Sequence, residues 1–248
     1  MVDLKLKEVF LIDLDDTLID TSGASKIALR RAYGKLSSEC NEDLATILSE
    51  DGFTKQMEEI YRNDKDENGH AFLDYDAEVF EIYCTRTLPK IGLTFRHTEH
   101  SLAARLFWQF KETKNSCLMG RENAFELINT LRKRGAVYCI TQGRCNYQHT
   151  KAMLTDIEPR LNGISVVVPP KTKEDELPKY LVAKQFQAEK TVMIGDKPSD
   201  IRAGKKAEVD TIRIVYPRLG DDFSTNVPDL TYNNLGEFMQ ALKKACFI

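Results

Sequence analysis

The chain has 248 residues, 42% hydrophobic and 29% charged, which supports a sizeable buried core and excludes a disordered or fibrous class. Acidic and basic residues nearly balance, 38 against 35, and a net charge of -3 gives no field that would draw in nucleic acid or an anionic membrane surface. No apolar run reaches spanning length and "MVDLKLKEVF" holds no signal-peptide core, so neither nucleic acid nor membrane is expected as a partner, and a cytoplasmic location is.

The first element is "EVFLIDL", residues 8–14, apolar on both faces like a strand of a parallel sheet covered by helices. It runs straight into Asp13 and Asp15, with Asp16 and Asp20 close behind. Like carboxylates this close repel and raise each other's pKa unless a cation or hydrogen-bond network compensates. Acidic turn residues without a chemical role are the plain alternative.

Residues 22–115 carry no convincing strand. Ala28, Ala32 and Leu36 recur at four-residue spacing, as do Val79 with Tyr83, Phe80 with Cys84, and Leu102, Leu106 and Phe110. "RNDKDENGH" (62–70) reads as an exposed loop. His97 and His100 in "HTEH" have a spacing that can bind metal on a helix, but no further ligands accompany them, so they read as a solvated surface. "FWQF" (107–110) reads as core, with Trp108 at an edge.

From residue 122 the pattern changes. "ENAFELINTLRKRG" (122–135) places Phe125, Leu127, Ile128 and Leu131 on one side and ends in a basic turn before Gly135, a helix stop. Strands are predicted at 136–141, 164–168, 191–195 and 211–215, with helices between. His149 falls on one of those helices and is given no catalytic part. Pro198 opens a helix running towards Gly204, which puts Asp200 in its first turn. Cys40, Cys84, Cys117, Cys139, Cys145 and Cys246 are scattered without CxxC spacing and read as reduced thiols.

Strands alternating with helices predict an α/β fold: a Rossmann-like parallel sheet with helices on both faces. Residues 1–21 and 116–248 would form that core, and 22–115 a small all-helical domain inserted after the first strand. Such sheets bind ligands beyond the carboxyl ends of their strands, at the switch point. Asp13, Thr141 and Asp196 all fall at predicted strand ends.

Three motifs carry a resemblance. "DLDDTL" with Asp13, Asp15 and Thr17, "CITQG" (139–143) and "IGDKPSD" (194–200) resemble, in the right order, the first, second and fourth motifs of the haloacid dehalogenase superfamily, in its phosphatase branch. The resemblance implies that Asp13 attacks phosphorus to form an aspartyl-phosphate. Asp15 would protonate the leaving alkoxide and then deprotonate the incoming water. An Asp at position 15 favours phosphoryl transfer over halide displacement, which needs no leaving-group acid.

Magnesium is the implied cofactor, held by the Asp13 carboxylate, the Asp15 main-chain carbonyl, Asp196, and Asp200 directly or through water. Thr141 would donate its hydroxyl to a phosphate oxygen, helped by N–H groups of the following turn. Gln142, where many relatives have Asn, and Gly143 lie beside it, and Thr17 would orient the loop after the first strand. The family's remaining motif is a lysine paired with the nucleophile. "PPKTKEDELPKYL" offers Lys171, Lys173 and Lys179. Lys171 is preferred for its spacing to Asp196, while Lys179 follows Pro178, a candidate first helical residue.

The resemblance thus implies hydrolysis of a small phosphorylated metabolite beneath a helical cap. A sugar phosphomutase using the same aspartates, and a non-catalytic binding or regulatory protein on the same fold, are the alternatives.

Overall fold

The computed structural model describes residues 3–40, 43–65, 75–93, 97–216 and 226–245. Strand β1, Val9–Ile12, is buried along its whole length because helices cover both faces of the sheet. After it come, among the described residues, four α-helices, α1 (Thr21–Glu39), α2 (Glu50–Asn63), α3 (Ala77–Ile82) and α4 (Glu99–Cys117). The chain then alternates: α5 (Ala124–Arg132), β2 (Ala136–Gln142), α6 (Cys145–Leu154), β3 (Gly163–Val167), α7 (Lys173–Lys184), β4 (Thr191–Gly195), α8 (Pro198–Lys206) and β5 (Asp210–Ile214). Strand β6 (Leu230–Tyr232) and α9 (Leu235–Lys244) complete the described elements.

The six strands form one parallel sheet in the order β3-β2-β1-β4-β5-β6. The fold is therefore the expected α/β, Rossmann-like one. The connection from β1 goes to one side, through β2 to β3, and the chain then returns to β4 on the other. That reversal makes the carboxyl ends of β1 and β4 the switch point of the sheet, the place where ligands bind in such folds. Ile12 lies opposite Ile194, and the Asp13 N–H donates to the Ile194 carbonyl, so Asp13 and Asp196 leave neighbouring strand tips.

The five expected strands are all present. The sixth, β6, has three residues at the sheet edge, none of them buried, so no apolar run announces it. The helix expected at 122–135 is shorter, Ala124–Arg132, entered through Asn123 with φ of 67°.

The backbone divides into two compact units, residues 1–21 with 118–248, and 22–117. The second is helical and has its own core, with Leu36, Phe53, Phe80, Tyr83, Leu106 and Phe110 fully buried. Phe53 meets Tyr83 edge-on at 5.1 Å, and Phe80 packs at 5.4 Å from Phe110. In "FWQF", Phe110 is core and Trp108 is 57% exposed, under the Lys111 ammonium at 5.1 Å. His97 pairs with Glu39 and His100 with Glu81, so the two histidines do not converge. Of the loop expected at 62–70, Arg62 and Asn63 end α2, and residues 66–70 lie outside the described set. Cys40, Cys84, Cys117, Cys139 and Cys145 are free thiols; Cys246 is outside the described residues.

Candidate active site

The loop after β1 folds tightly on itself. The N–H groups of Leu18 and Ile19 donate to the Leu14 carbonyl, and Asp16 takes φ of 64°, a left-handed conformation that Asp tolerates better than most residues. Arg121 donates to the Asp16 carbonyl at 2.5 Å and stacks on Tyr216, whose hydroxyl donates to Asp20 at 3.1 Å. Asp16 and Asp20 thus belong to the scaffold of the loop.

Asp13, Asp196 and Asp200 are all at most 2% exposed, and each offers a carboxylate oxygen within 4.8 Å of those of the other two. Among the described residues this is the one cluster of ligand-type side chains close enough to hold a metal ion. Thr17 donates to Asp196 Oδ1 at 3.1 Å. Asp200 sits in the first turn of α8, where its Oδ2 accepts the Lys197 N–H at 3.0 Å, a capping contact that also aims the side chain at β4. Gly195 is required there, since a Cβ at this position would lie 2.4 Å from Asp200 Oδ2.

The lysine beside the nucleophile candidate is Lys173. Its Nζ donates to Asp13 Oδ1, and to Asp200 Oδ1 at 2.6 Å, with all three side chains buried. The expectation of Lys171 is corrected: its side chain is 64% exposed and its Nζ lies 3.6 Å from Glu176. Lys179, also on Glu176, is 70% exposed. The reason is where α7 begins. Thr172 caps it by accepting the Asp175 N–H at 3.2 Å, so Lys173 is the first helical residue and Pro178 lies inside the helix. The Thr-x-x-Asp signal was readable in the sequence; the proline at 178 pointed to a later start.

Burial raises Asp13 from 3.8 to about 6, with Lys173 pulling it down and Asp200 pushing it up. Burial works against the charge on Lys173, but Asp13 and Asp200 hold its ammonium protonated, well above the usual lysine range. Beneath the site, burial and the nearby Asp13 charge push the Cys139 thiol well up, which makes it inert.

Asp15 is turned towards α6. Lys151 Nζ lies 2.6 Å and 2.8 Å from its two oxygens, Thr21 Oγ1 donates to Oδ1 at 2.5 Å, and Gln148 Nε2 donates to Oδ2 at 3.1 Å. Burial alone would raise Asp15, but the Lys151 charge and these hydrogen bonds carry it well below the ordinary carboxylate range. Sequence reasoning missed Lys151 and Gln148; their only signal is a polar i, i+3 pair on a helix that faces the sheet.

Thr141 is 1% exposed at the end of β2. Gln142 donates its side-chain amide to the Lys171 carbonyl at 3.4 Å and accepts from Gln148 on its own carbonyl at 2.9 Å. The Gly143 N–H donates to the Val167 carbonyl at 3.0 Å. Gly143 also leaves room for Gln148, whose Nε2 would lie 2.3 Å from a Cβ there.

Residues 7–208 match the haloacid dehalogenase-like hydrolase family. The chain belongs to this family. The haloacid dehalogenase-like chain is 25% identical, over 92% of its length and 90% of the relative's, to YfnB of Bacillus subtilis, which is assigned as a HAD hydrolase. A phosphoglycolate phosphatase of Colwellia psychrerythraea is 23% identical over 97% of this chain and 99% of its own. Among solved structures, YfnB bound to magnesium superposes with a TM-score of 0.63 at 22% identity, covering 95% of this chain and 98% of that one. A Thermotoga maritima protein assigned as a beta-phosphoglucomutase gives 0.67 at 16% identity, covering 96% and 99%. The motifs at Asp13, Thr141 and Asp196 fall within the matched residues, and the haloacid dehalogenase-like chain is a hydrolase of that family. Among the described residues no helix is long and apolar enough to cross a membrane.

Proposed function

We propose that the chain is a magnesium-dependent phosphatase that hydrolyses small phosphate monoesters through an aspartyl-phosphate at Asp13. One observation carries this reading: Asp13 Oδ2 is buried without a hydrogen-bond partner, beside the carboxylates of Asp196 and Asp200. An orphaned buried acceptor costs about 1–3 kcal/mol, and Lys173 pairs with two of the three carboxylates, Asp13 and Asp200. The donor set is all oxygen and anionic, which suits a hard divalent cation.

Asp13, Asp196 and Asp200 would hold Mg2+, with the Asp15 main-chain carbonyl as the further ligand expected. When bound, the ion offsets the charge repulsion between a carboxylate and a phosphate ester. Lys173 fixes the Asp13 carboxylate, and Thr141 places its hydroxyl at the end of β2 for a phosphate oxygen.

In the first step an Asp13 oxygen bonds to phosphorus as the bond to the leaving oxygen breaks, and Asp15 gives that oxygen a proton. In the second, water bonds to phosphorus and gives its proton to Asp15 as the bond to Asp13 breaks, which restores both side chains. Asp15 rests in the base form in the free protein. The arriving phosphate dianion raises its proton affinity, as a like charge does. In the same proposal residues 22–115 are the cap that selects a small phosphorylated metabolite.

The test is release of phosphate from a broad panel of phosphate monoesters with magnesium and with chelator. Magnesium-dependent release that Asp13→Asn abolishes supports the reading; no release from any ester contradicts it. Transfer of phosphate to a second hydroxyl of a sugar, with none to water, would make the protein a phosphomutase.

A further inference from the structure

Three donor side chains converge on the Asp15 carboxylate. Lys151 spans both oxygens, Thr21 takes Oδ1 and Gln148 takes Oδ2, so rotation of the carboxylate about its own axis breaks at least two contacts. Lys151 is 3% exposed and Gln148 is 4% exposed. Burying an ammonium to hold one helix is a poor source of stability, since an apolar pair of similar volume commonly holds as well or better. Gln148 is further constrained: its Nε2 also donates to the Gln142 carbonyl, and it fits only because residue 143 is glycine. Residues 142–151 therefore form one connected device, a strand end, a glycine and two helical side chains, all converging on the carboxylate.

We propose that Lys151, assisted by Gln148, is a positioning residue that holds the Asp15 carboxylate in the one orientation from which it exchanges a proton with the leaving oxygen and then with the attacking water. This rests on the phosphatase reading. A proton-transfer group contributes only when its oxygen points along the line of the proton, and misplacement by about an ångström costs roughly 100-fold. A poor leaving group needs that proton. A good one departs without it.

The experiment compares kcat/KM of wild type and Lys151→Met for phenyl phosphate and 2,4-dinitrophenyl phosphate. The variant is expected to lose about 100-fold on phenyl phosphate and less than about 5-fold on the dinitrophenyl ester. With the dinitrophenyl ester it should also release a burst of dinitrophenol before a slow steady state, because the water step still needs Asp15. Lys151→Arg, which keeps a cation able to span both oxygens, should recover most of the loss. Where Lys151→Met does not fold, Gln148→Met leaves the ion pair intact and should show the same selectivity at about 10-fold. Equal losses on both esters in an active protein overturn the positioning role alone. A wild type that hydrolyses neither ester overturns the phosphatase reading, and this inference with it.

Discussion

Lys173, the first residue of α7, donates to Asp13 at the tip of β1 and also to Asp200 in the first turn of α8, 2.6 Å away. One ammonium thus ties a carboxylate at the tip of β1 to one in the first turn of α8, and the Oδ2 of Asp13 is left without a hydrogen-bond partner. Removing that ammonium leaves two buried charges uncompensated. Lys173→Met should lower stability by about 3 kcal/mol in urea denaturation at pH 7.5 and reduce turnover at least about 100-fold. Lys171→Met, at an exposed position on Glu176, should change neither by more than about twofold.

If Asp13 holds magnesium as proposed, proton binding there makes metal binding pH-dependent. Its carboxyl is raised from 3.8 to about 6 in the metal-free protein, so the folded state holds this proton more tightly than the unfolded chain does. The associated stability is fully present below 3.8 and is lost as pH rises through about 6. A cation bound at this site must displace the proton. Magnesium affinity should be flat above pH 7 and fall by about tenfold per pH unit below 6, with proton release on binding at pH 5.5 but not at 7.5. Titration calorimetry in buffers of different ionisation enthalpy reads both.

Asp15 behaves in the opposite sense. Lys151 and its hydrogen bonds hold it below the ordinary carboxylate range, so its contribution to stability is present above pH 3.8 and is lost as pH falls further. Asp15→Asn removes that contribution and leaves Lys151 buried without its counter-charge. The gap in urea midpoint between wild type and Asp15→Asn should therefore narrow between pH 5 and pH 3.

Gly195→Ala tests the close approach of α8 to β4. Its Cβ would lie 2.4–2.5 Å from Oδ2, Cβ and Cγ of Asp200, so the first turn of α8 must move. The expected cost is about 2 kcal/mol, accompanied by weaker magnesium binding. Unchanged affinity would mean that Asp200 is not part of the metal site.

The central part of the fold could be read directly from hydrophobic runs. Val9–Ile12 and Thr191–Gly195 are buried on both faces, and such strands appear as uninterrupted apolar stretches. The acids that follow them stand out because nothing local explains them. Leu230–Tyr232 stayed hidden, since a three-residue edge strand buries too little to leave a pattern. The sequence favours Lys171 over Lys173 through its spacing to Asp196, and Pro178, which draws attention to Lys179, mimics a helix start five residues after the real one. The roles of Lys151 and Gln148 depend on a partner more than 130 positions away, and no local periodicity encodes that. Arg121, which reaches back 105 positions to the Asp16 carbonyl, leaves no local pattern either.

The central claim, that Asp13 bonds covalently to phosphorus, is tested most directly by reductive trapping. The protein is mixed with magnesium and a phosphate ester it hydrolyses, treated with borohydride during turnover, and digested for mass spectrometry. An acyl phosphate is reduced to the alcohol, so the peptide containing residues 8–20 should carry homoserine at position 13, and only when both ester and magnesium are present. Steady turnover with residue 13 still aspartate, or with the alcohol at another carboxylate, would contradict the account.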